Sequence, residues 1–167
     1  MSDYHPVIDI LIENFGISTE SLKPLHEQLL AHQENTEGLK ETMLKHNVTT
    51  EDKFQKAIAL YFELEYRDSF EDIPVISEYT EIIPIRYAKK NVFFPLKKDA
   101  NSLEVAIINP QLSQPLDDLA RHFKCRIEPI ISRTKAVLDL INRAYDESSS
   151  STEEAVEQLD SDEIFEN

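Results

Sequence analysis

Phosphoryl chemistry asks for a glycine-rich loop closing on Gly-Lys-Ser/Thr, whose backbone N–H groups cradle phosphate oxygens. The chain has two glycines, Gly16 and Gly38, and neither precedes Lys-Ser or Lys-Thr. Zinc chemistry asks for Cys and His ligands at short, regular spacings. One cysteine, Cys125, and five scattered histidines do not supply them, and His26 and His32, six apart, do not share a helix face. No Gly-x-Ser-x-Gly elbow is present to sharpen a nucleophilic serine. The acid pairs Glu51-Asp52 and Asp117-Asp118 open predicted helices, where the positive dipole end accounts for them. Cys125 begins a predicted strand and reads as a buried, inert thiol. These residues predict no catalytic, cofactor or metal site. The pattern that remains is charge: Arg86, Lys89, Lys90, Lys97 and Lys98 gather within thirteen residues of an otherwise acidic chain. A solvated surface would account for them. So would a docking patch for an acidic partner, where complementary charge speeds encounter.

Composition sets the frame for that choice. With 17 Lys and Arg against 32 Asp and Glu the net charge is −15, which argues against a general nucleic-acid binder. From Asp146 onward there are nine acids and no Lys or Arg. A single cysteine excludes an intrachain disulfide and suits a reducing cytoplasm. The N-terminus lacks the basic-then-apolar pattern of a signal peptide, and no apolar run approaches the ~20 residues that span a bilayer. A soluble cytoplasmic protein is expected, reaching a membrane only through a partner.

The elements that must position the basic cluster lie between Ile82 and Pro110. Val92–Leu96 and Leu103–Ile108 are short apolar runs separated by the polar string from Lys97 to Ser102, the composition of a hairpin. Lys89-Lys90-Asn91 is read as the turn leading into it. Ala106 and Ile108 make the second run apolar on both faces, so helices are expected to cover it on both sides. Pro115 with two following acids opens a helix whose buried face is expected to be Leu116, Leu119, Ala120 and Phe123. Arg126–Ile131 is a third core strand, with Pro129 placing it at an edge or bulge. From Ser132 a last helix carries the stripe Val137, Leu138, Ile141, Ala144 and Tyr145.

The first part of the chain reads as helices. Residues 7–14 suit a short helix or buried strand before Gly16, and Ser18 or Thr19 caps the next helix, with Leu22, Leu25 and Leu29 as its apolar stripe. Gly38 is read as a break before a helix on Leu39, Met43 and Leu44. Thr49 or Thr50 then caps a helix burying Phe54, Ala57, Ile58 and Tyr61. Phe62–Tyr66 is expected as an edge strand, and Ser77–Ile83 as a helix capped by Ser77. The segments 15–20 and 46–51 look alike, which fits a worn repeat or two helix starts obeying the same capping rule. The whole is an α+β domain: helices, then β-β-α-β-α. The divisions expected are a helical subdomain over 1–61, an α+β core over 62–147 and an acidic flexible linker over 148–167. Within the linker, 153–159 suits a helical turn or two.

The order Ile82-Ile83-Pro84, Tyr87-Ala88, Phe94-Pro95-Leu96, Val105-Ala106-Ile107-Ile108-Asn109-Pro110, then Arg126–Ile130 and Ile141–Tyr145, resembles the N-terminal domain of the type II secretion and type IV pilus assembly ATPases. The resemblance implies a non-catalytic docking domain that anchors a motor to the cytoplasmic domain of an inner-membrane platform protein. It also implies that ATP and magnesium chemistry belongs to an ATPase module beyond residue 167. Some relatives bind cyclic diguanylate through tandem repeats opening Arg-Leu-Gly. That regulatory role is the alternative, although no Arg-Leu-Gly occurs here and no arginine precedes Arg67.

Overall fold

A computed structural model describes the backbone of residues 3–158 and the side chains of 3–147. The chain forms two compact units: Met1–Tyr66 with Asn109–Gln111, and Arg67–Ile108 with Leu112–Asn167. The division thus falls at 66/67 rather than at the 61/62 expected from sequence.

The first unit is helical. Helix α1 (Pro6–Phe15) takes proline in its first turn and ends on Gly16, whose φ of +67° supplies the left-handed cap. Ser18 Oγ accepts the Glu20 N–H and starts α2 (Thr19–Leu22), which runs through a 3-10 turn containing Pro24 into α3 (His26–Ala31). Helix α4 (Thr36–Lys45) begins two residues before Gly38, capped by Asn35 Oδ1 on the Gly38 N–H. Gly38 is therefore no helix break. It sits in the first turn because a Cβ there would lie 2.6 Å from His32 Nδ1. Helix α5 (Glu51–Phe62) is capped by Thr50 and packs along α1. Phe54, Ala57 and Ile58 are buried as expected, but Tyr61 is 40% exposed, its ring set edge-on to His5. The expected strand over 62–66 shrinks to β1 (Glu65–Tyr66), since α5 persists to Phe62 and closes on Glu63 in the left-handed region.

The two look-alike segments adopt one local plan. A ten-residue helix leads in each case to a residue at positive φ, Gly16 or Asn47, then to a hydroxyl cap, Ser18 or Thr50. Asn replaces Gly at that position because its short polar side chain tolerates the left-handed region. Gln111 completes this unit: its Oε1 accepts from the Thr36 N–H and hydroxyl, and its Nε2 donates to the Glu34 carbonyl.

In the second unit three strands lie in the order β4-β3-β2. Strands β2 (Phe93–Lys98) and β3 (Ser102–Ile107) form the expected antiparallel hairpin, and β4 (Arg126–Ile131) runs parallel to β3 with Val105 opposite Pro129. The hairpin turn is closed by Asp99 Oδ1, which accepts from the Asn101 and Ser102 N–H groups and the Ser102 hydroxyl. Those three donors hold the Asp99 carboxyl below its ordinary pKa. Leu103, Val105, Ala106 and Ile107 are all buried, so β3 is covered on both faces. Helices α6 (Ser77–Ile82), α7 (Ile85–Asn91), α8 (Gln114–Phe123) and α9 (Thr134–Gln158) complete the unit, α7 and α9 packing against β2, α8 against β4, and α6 against α9.

Lys89-Lys90-Asn91 is the last turn of α7, not a loop; Pro84 fixes its start and Ala88 its buried side. Ser77 is the first residue of α6 and makes no cap hydrogen bond. On α8 the buried residues are Pro115, Asp118 and Leu119, whereas Leu116, Ala120 and Phe123 are half-buried. Asp118 tolerates burial by accepting from Arg121 and from the Tyr87 hydroxyl. The backbone does not leave α9 at residue 148, where the linker was expected to begin, but stays helical to Gln158. A helix already nucleated adds one hydrogen bond per residue, which carries it across the four serines into the Glu-rich stretch. The rest of the expected linker, 159–167, lies outside the described residues.

Candidate functional site

The five basic residues singled out by sequence fall into two groups. Arg86, Lys89 and Lys90 occupy α7 at i, i+3 and i+4, which puts them on one helix face, and all three are exposed. Lys97 and Lys98 lie at the far end of β2. The five are thus carried by two different elements, a helix face and the end of a strand.

The two groups have different physical explanations. Strand β2 is an edge strand, and it combines Pro95, a register slip between Pro95 and Lys97, and two terminal lysines. These are the devices by which an exposed edge is kept from pairing with another chain. Lys97 and Lys98 have a structural role without any partner. On α7, Lys89 and Lys90 complement the negative end of the helix dipole. Arg86 does not: it is the second residue of the helix, at the positive end.

Ion pairing separates the α7 group further. Among the described residues Lys23, Lys40, Lys56, Arg67, Arg121, Arg126 and Lys135 each lie within 4 Å of a carboxylate. Arg86, Lys89 and Lys90 show no such pair, in a chain with 32 acids available. The opposite face of α7 is fixed to the body by buried Ala88, by Tyr87 edge-on to Phe93, and by the Tyr87 hydroxyl donating to Asp118. Val92 ends the helix at φ +49°, a left-handed conformation costly for a β-branched residue, with its N–H on the Ala88 carbonyl. The result is a short helix, packed on its buried side, that presents three cations with no carboxylate partner among the described residues.

Sequence reasoning missed a second arrangement in this unit, a set of cationic clamps on main-chain carbonyls. Arg143 of α9 donates to the carbonyls of Phe70, Glu71 and Ile73 at 3.0, 2.9 and 2.7 Å. Arg133 donates to the Asp68 carbonyl at 2.9 Å, and the Ser132 hydroxyl to that of Arg67 at 2.5 Å. These partners are 65 to 73 residues apart, so no local pattern reveals them. A cleft of about 370 Å³ opens beside the clamp, lined by Asp68, Glu71, Arg133, Asp139 and Arg143 among others. Tyr145 closes the far end of the buried stretch of α9, its hydroxyl donating to the Ile83 carbonyl, and burial raises its pKa.

In the first unit Lys40 is buried between Glu37 and Glu51, at 3.3 Å from each. Burial pushes the Glu37 carboxyl above its ordinary pKa while Lys40 draws it down. A shallow groove of about 390 Å³ runs over Gly38 and Thr42 between Gln28, His32, Glu41 and Lys45. No cluster of His, Cys, Asp and Glu suited to a metal ion occurs among the described residues. No helix among them is long and apolar enough to cross a membrane.

The comparison with known proteins bears on what such a surface serves. The MshEN domain family matches residues 62–151, more than half of the chain. The chain belongs to the MshEN domain family. It is thereby a domain of the kind found at the N-terminus of type II secretion and type IV pilus ATPases, the non-catalytic part with a regulatory or docking role, as the Ile82–Pro110 segment implied. Two solved structures share the fold at 18% identity: MshE with cdg (TM-score 0.63, covering 83% of this chain and 98% of that one) and the N-terminal domain of XpsE (0.62, 86% and 98%). Another crystal form of that XpsE domain has 16% identity and a TM-score of 0.54, with coverage of 83% and 94%. No curated protein sequence matches the chain.

Proposed function

We propose that this domain docks a secretion or pilus assembly ATPase to the cytoplasmic part of an inner-membrane platform protein, and that α7 supplies the electrostatic share of that contact. In this reading the domain holds no cofactor, touches no nucleic acid and inserts into no membrane. It sits in the cytoplasm beside the inner membrane, while ATP and magnesium are handled by the ATPase module it serves. One observation carries the choice of surface: three exposed cations on one face of α7, unpaired among the described residues of a chain of net charge −15. Like charges at helical spacing repel one another, and an acidic partner surface removes that repulsion on contact. The test is a charge-reversed variant, Arg86→Glu with Lys89→Glu and Lys90→Glu, measured against the immobilised cytoplasmic segment of the platform protein. Association should slow by an order of magnitude or more at low salt and lose most of its salt dependence. An unchanged on-rate would put the interface elsewhere, with the helices of the first unit next in line.

A second reading, a cyclic diguanylate-binding regulatory module, is favoured by the shared fold with MshE, which is solved with cdg. Against it, the first unit has no arginine to stack on a guanine base, and the His32 ring occupies the space over Gly38. Calorimetric titration with the cyclic dinucleotide separates the two readings: heat of binding supports the sensor, and its absence leaves docking.

A further inference from the structure

We infer that the cleft between the start of α9 and the segment 68–71 receives a short extended peptide whose side chains alternate in charge, acids toward α9 and bases toward the segment. The cleft, about 370 Å³, lies within the second unit and is lined by none of the α7 cations, so the inference stands apart from the docking reading above.

The two walls of the cleft carry opposite charge. On the α9 side it is lined by Arg133, Lys135, Asp139 and Arg143. Lys135 and Asp139 lie 2.8 Å apart and cancel, which leaves the two arginines. Facing them are Asp68 and Glu71, both exposed. Among the described residues neither arginine has a carboxylate within 4 Å and neither acid has a cation, although Arg67, Arg121 and Arg126 in the same unit each have a carboxylate partner. Charges of opposite sign thus line one cleft without pairing across it. The carbonyls of Asp68, Phe70, Glu71 and Ile73 explain where the arginines sit. Being neutral, they do not balance the charge. They do fix both cations before anything binds, which lowers the ordering cost of a contact.

An occupant that pairs with both walls must present acids on one side and bases on the other. An extended chain does so when acid and base alternate, because successive side chains point to opposite faces. A purely acidic segment would meet Asp68 and Glu71, and a purely basic one the arginines, so each would lose on one wall what it gains on the other. Between Arg133 and Arg143 the chain rises about 15 Å along the helix, which about five extended residues match at ~3.3 Å each. Exposed ion pairs are individually weak, so pattern rather than strength is what the cleft selects.

The test titrates the full chain with the pentapeptide Glu-Lys-Glu-Lys-Glu, acetylated and amidated, and follows amide chemical shifts. The control is Glu-Glu-Glu-Lys-Lys, capped in the same way and identical in composition and net charge. The alternating peptide should shift the amides of 68–71 and 134–143 and bind about threefold or more tighter than the control, the ratio that a few exposed ion pairs supply. Raising the salt should weaken it. In the double variant Asp68→Asn with Glu71→Gln the preference should vanish while the melting temperature stays that of the parent, because both side chains are exposed and make no hydrogen bond or ion pair among the described residues. Equal affinity for the two peptides, shifts centred on residues 85–91 instead, or a preference that survives the double variant would overturn the assignment.

Discussion

Replacing Arg143 tests how the segment following residue 66 is secured to the second unit. The guanidinium gathers three carbonyls, those of Phe70, Glu71 and Ile73, and a buried Phe70 side chain (3% exposed) depends on that segment staying in place. A hydrogen bond to a charged group is worth about 1.5–3 kcal/mol when buried. Arg143 is only half-buried and water can replace part of what is lost, so the sum must be discounted well below three full bonds. About 2–4 kcal/mol is expected for Arg143→Ala, and roughly half of that for Arg143→Lys, which keeps the charge but not the planar fork. Urea unfolding gives the magnitude, and hydrogen exchange gives the location, with faster exchange at the amides of 70–73. A loss under ~0.5 kcal/mol for Arg143→Ala, or unaltered exchange at 70–73, would refute the idea that these bonds hold the segment; surface substitutions without such a role fall in that range.

Three further outcomes follow from the geometry. Val105→Asp puts an unpaired charge on a fully buried position of the central strand and should cost several kcal/mol or abolish folding; a melting temperature near that of the parent would mean the β2-β3-β4 register is wrong. Gly38→Ala should destabilise the protein because its Cβ meets His32, yet stabilise a His32→Ala background by about 0.5–1 kcal/mol through helix propensity, which a double-mutant cycle by thermal melting would resolve. His5 caps α1 by accepting the Val7 N–H on Nδ1, and burial lowers its pKa below 6.5. Its folded form is therefore the neutral one, so its contribution is present above about pH 6.5 and is lost as pH falls toward the lowered folded value. His5→Asn caps without titrating, and its melting temperature should fall less than the parent's between pH 7 and pH 5.

The parts of the fold legible in the sequence are those whose cause is local. Ser18 and Thr50 announce helix starts, Gly16 a helix end, Pro115 with its acids α8, and the apolar runs on either side of Asp99 the hairpin. Helix α7 was hidden because Lys89-Lys90-Asn91 has turn composition, while the restraint that decides it, Pro84 before a single buried alanine, is a weak signal. Gly38 looked like punctuation because its reason is a histidine ring from the preceding helix, a tertiary fact. The candidate site was half legible for the same reason. Charge type and clustering are visible in one dimension, but only the helix aligns Arg86 with Lys89 and Lys90, and only the sheet assigns Lys97 and Lys98 to an edge. The arginine clamp bridges some seventy residues and leaves no trace in local composition.

The parallel pairing of β3 with β4 has a consequence for the order of events as the chain folds. The β2–β3 hairpin needs only a tight turn sealed by Asp99, a step of microseconds for chains of this kind. Pairing β4 alongside β3 must wait until α8 forms and the crossover returns, and that crossover passes through Asn109–Gln111, three residues that belong to the other unit. Loop-closure entropy is spent there before any ladder bond is gained. The hairpin should thus gain protection early, while the amides of Arg126–Ile131 lag behind. A pulse-labelled exchange experiment during refolding would read the interval directly as the time this chain spends with a core strand still unmatched.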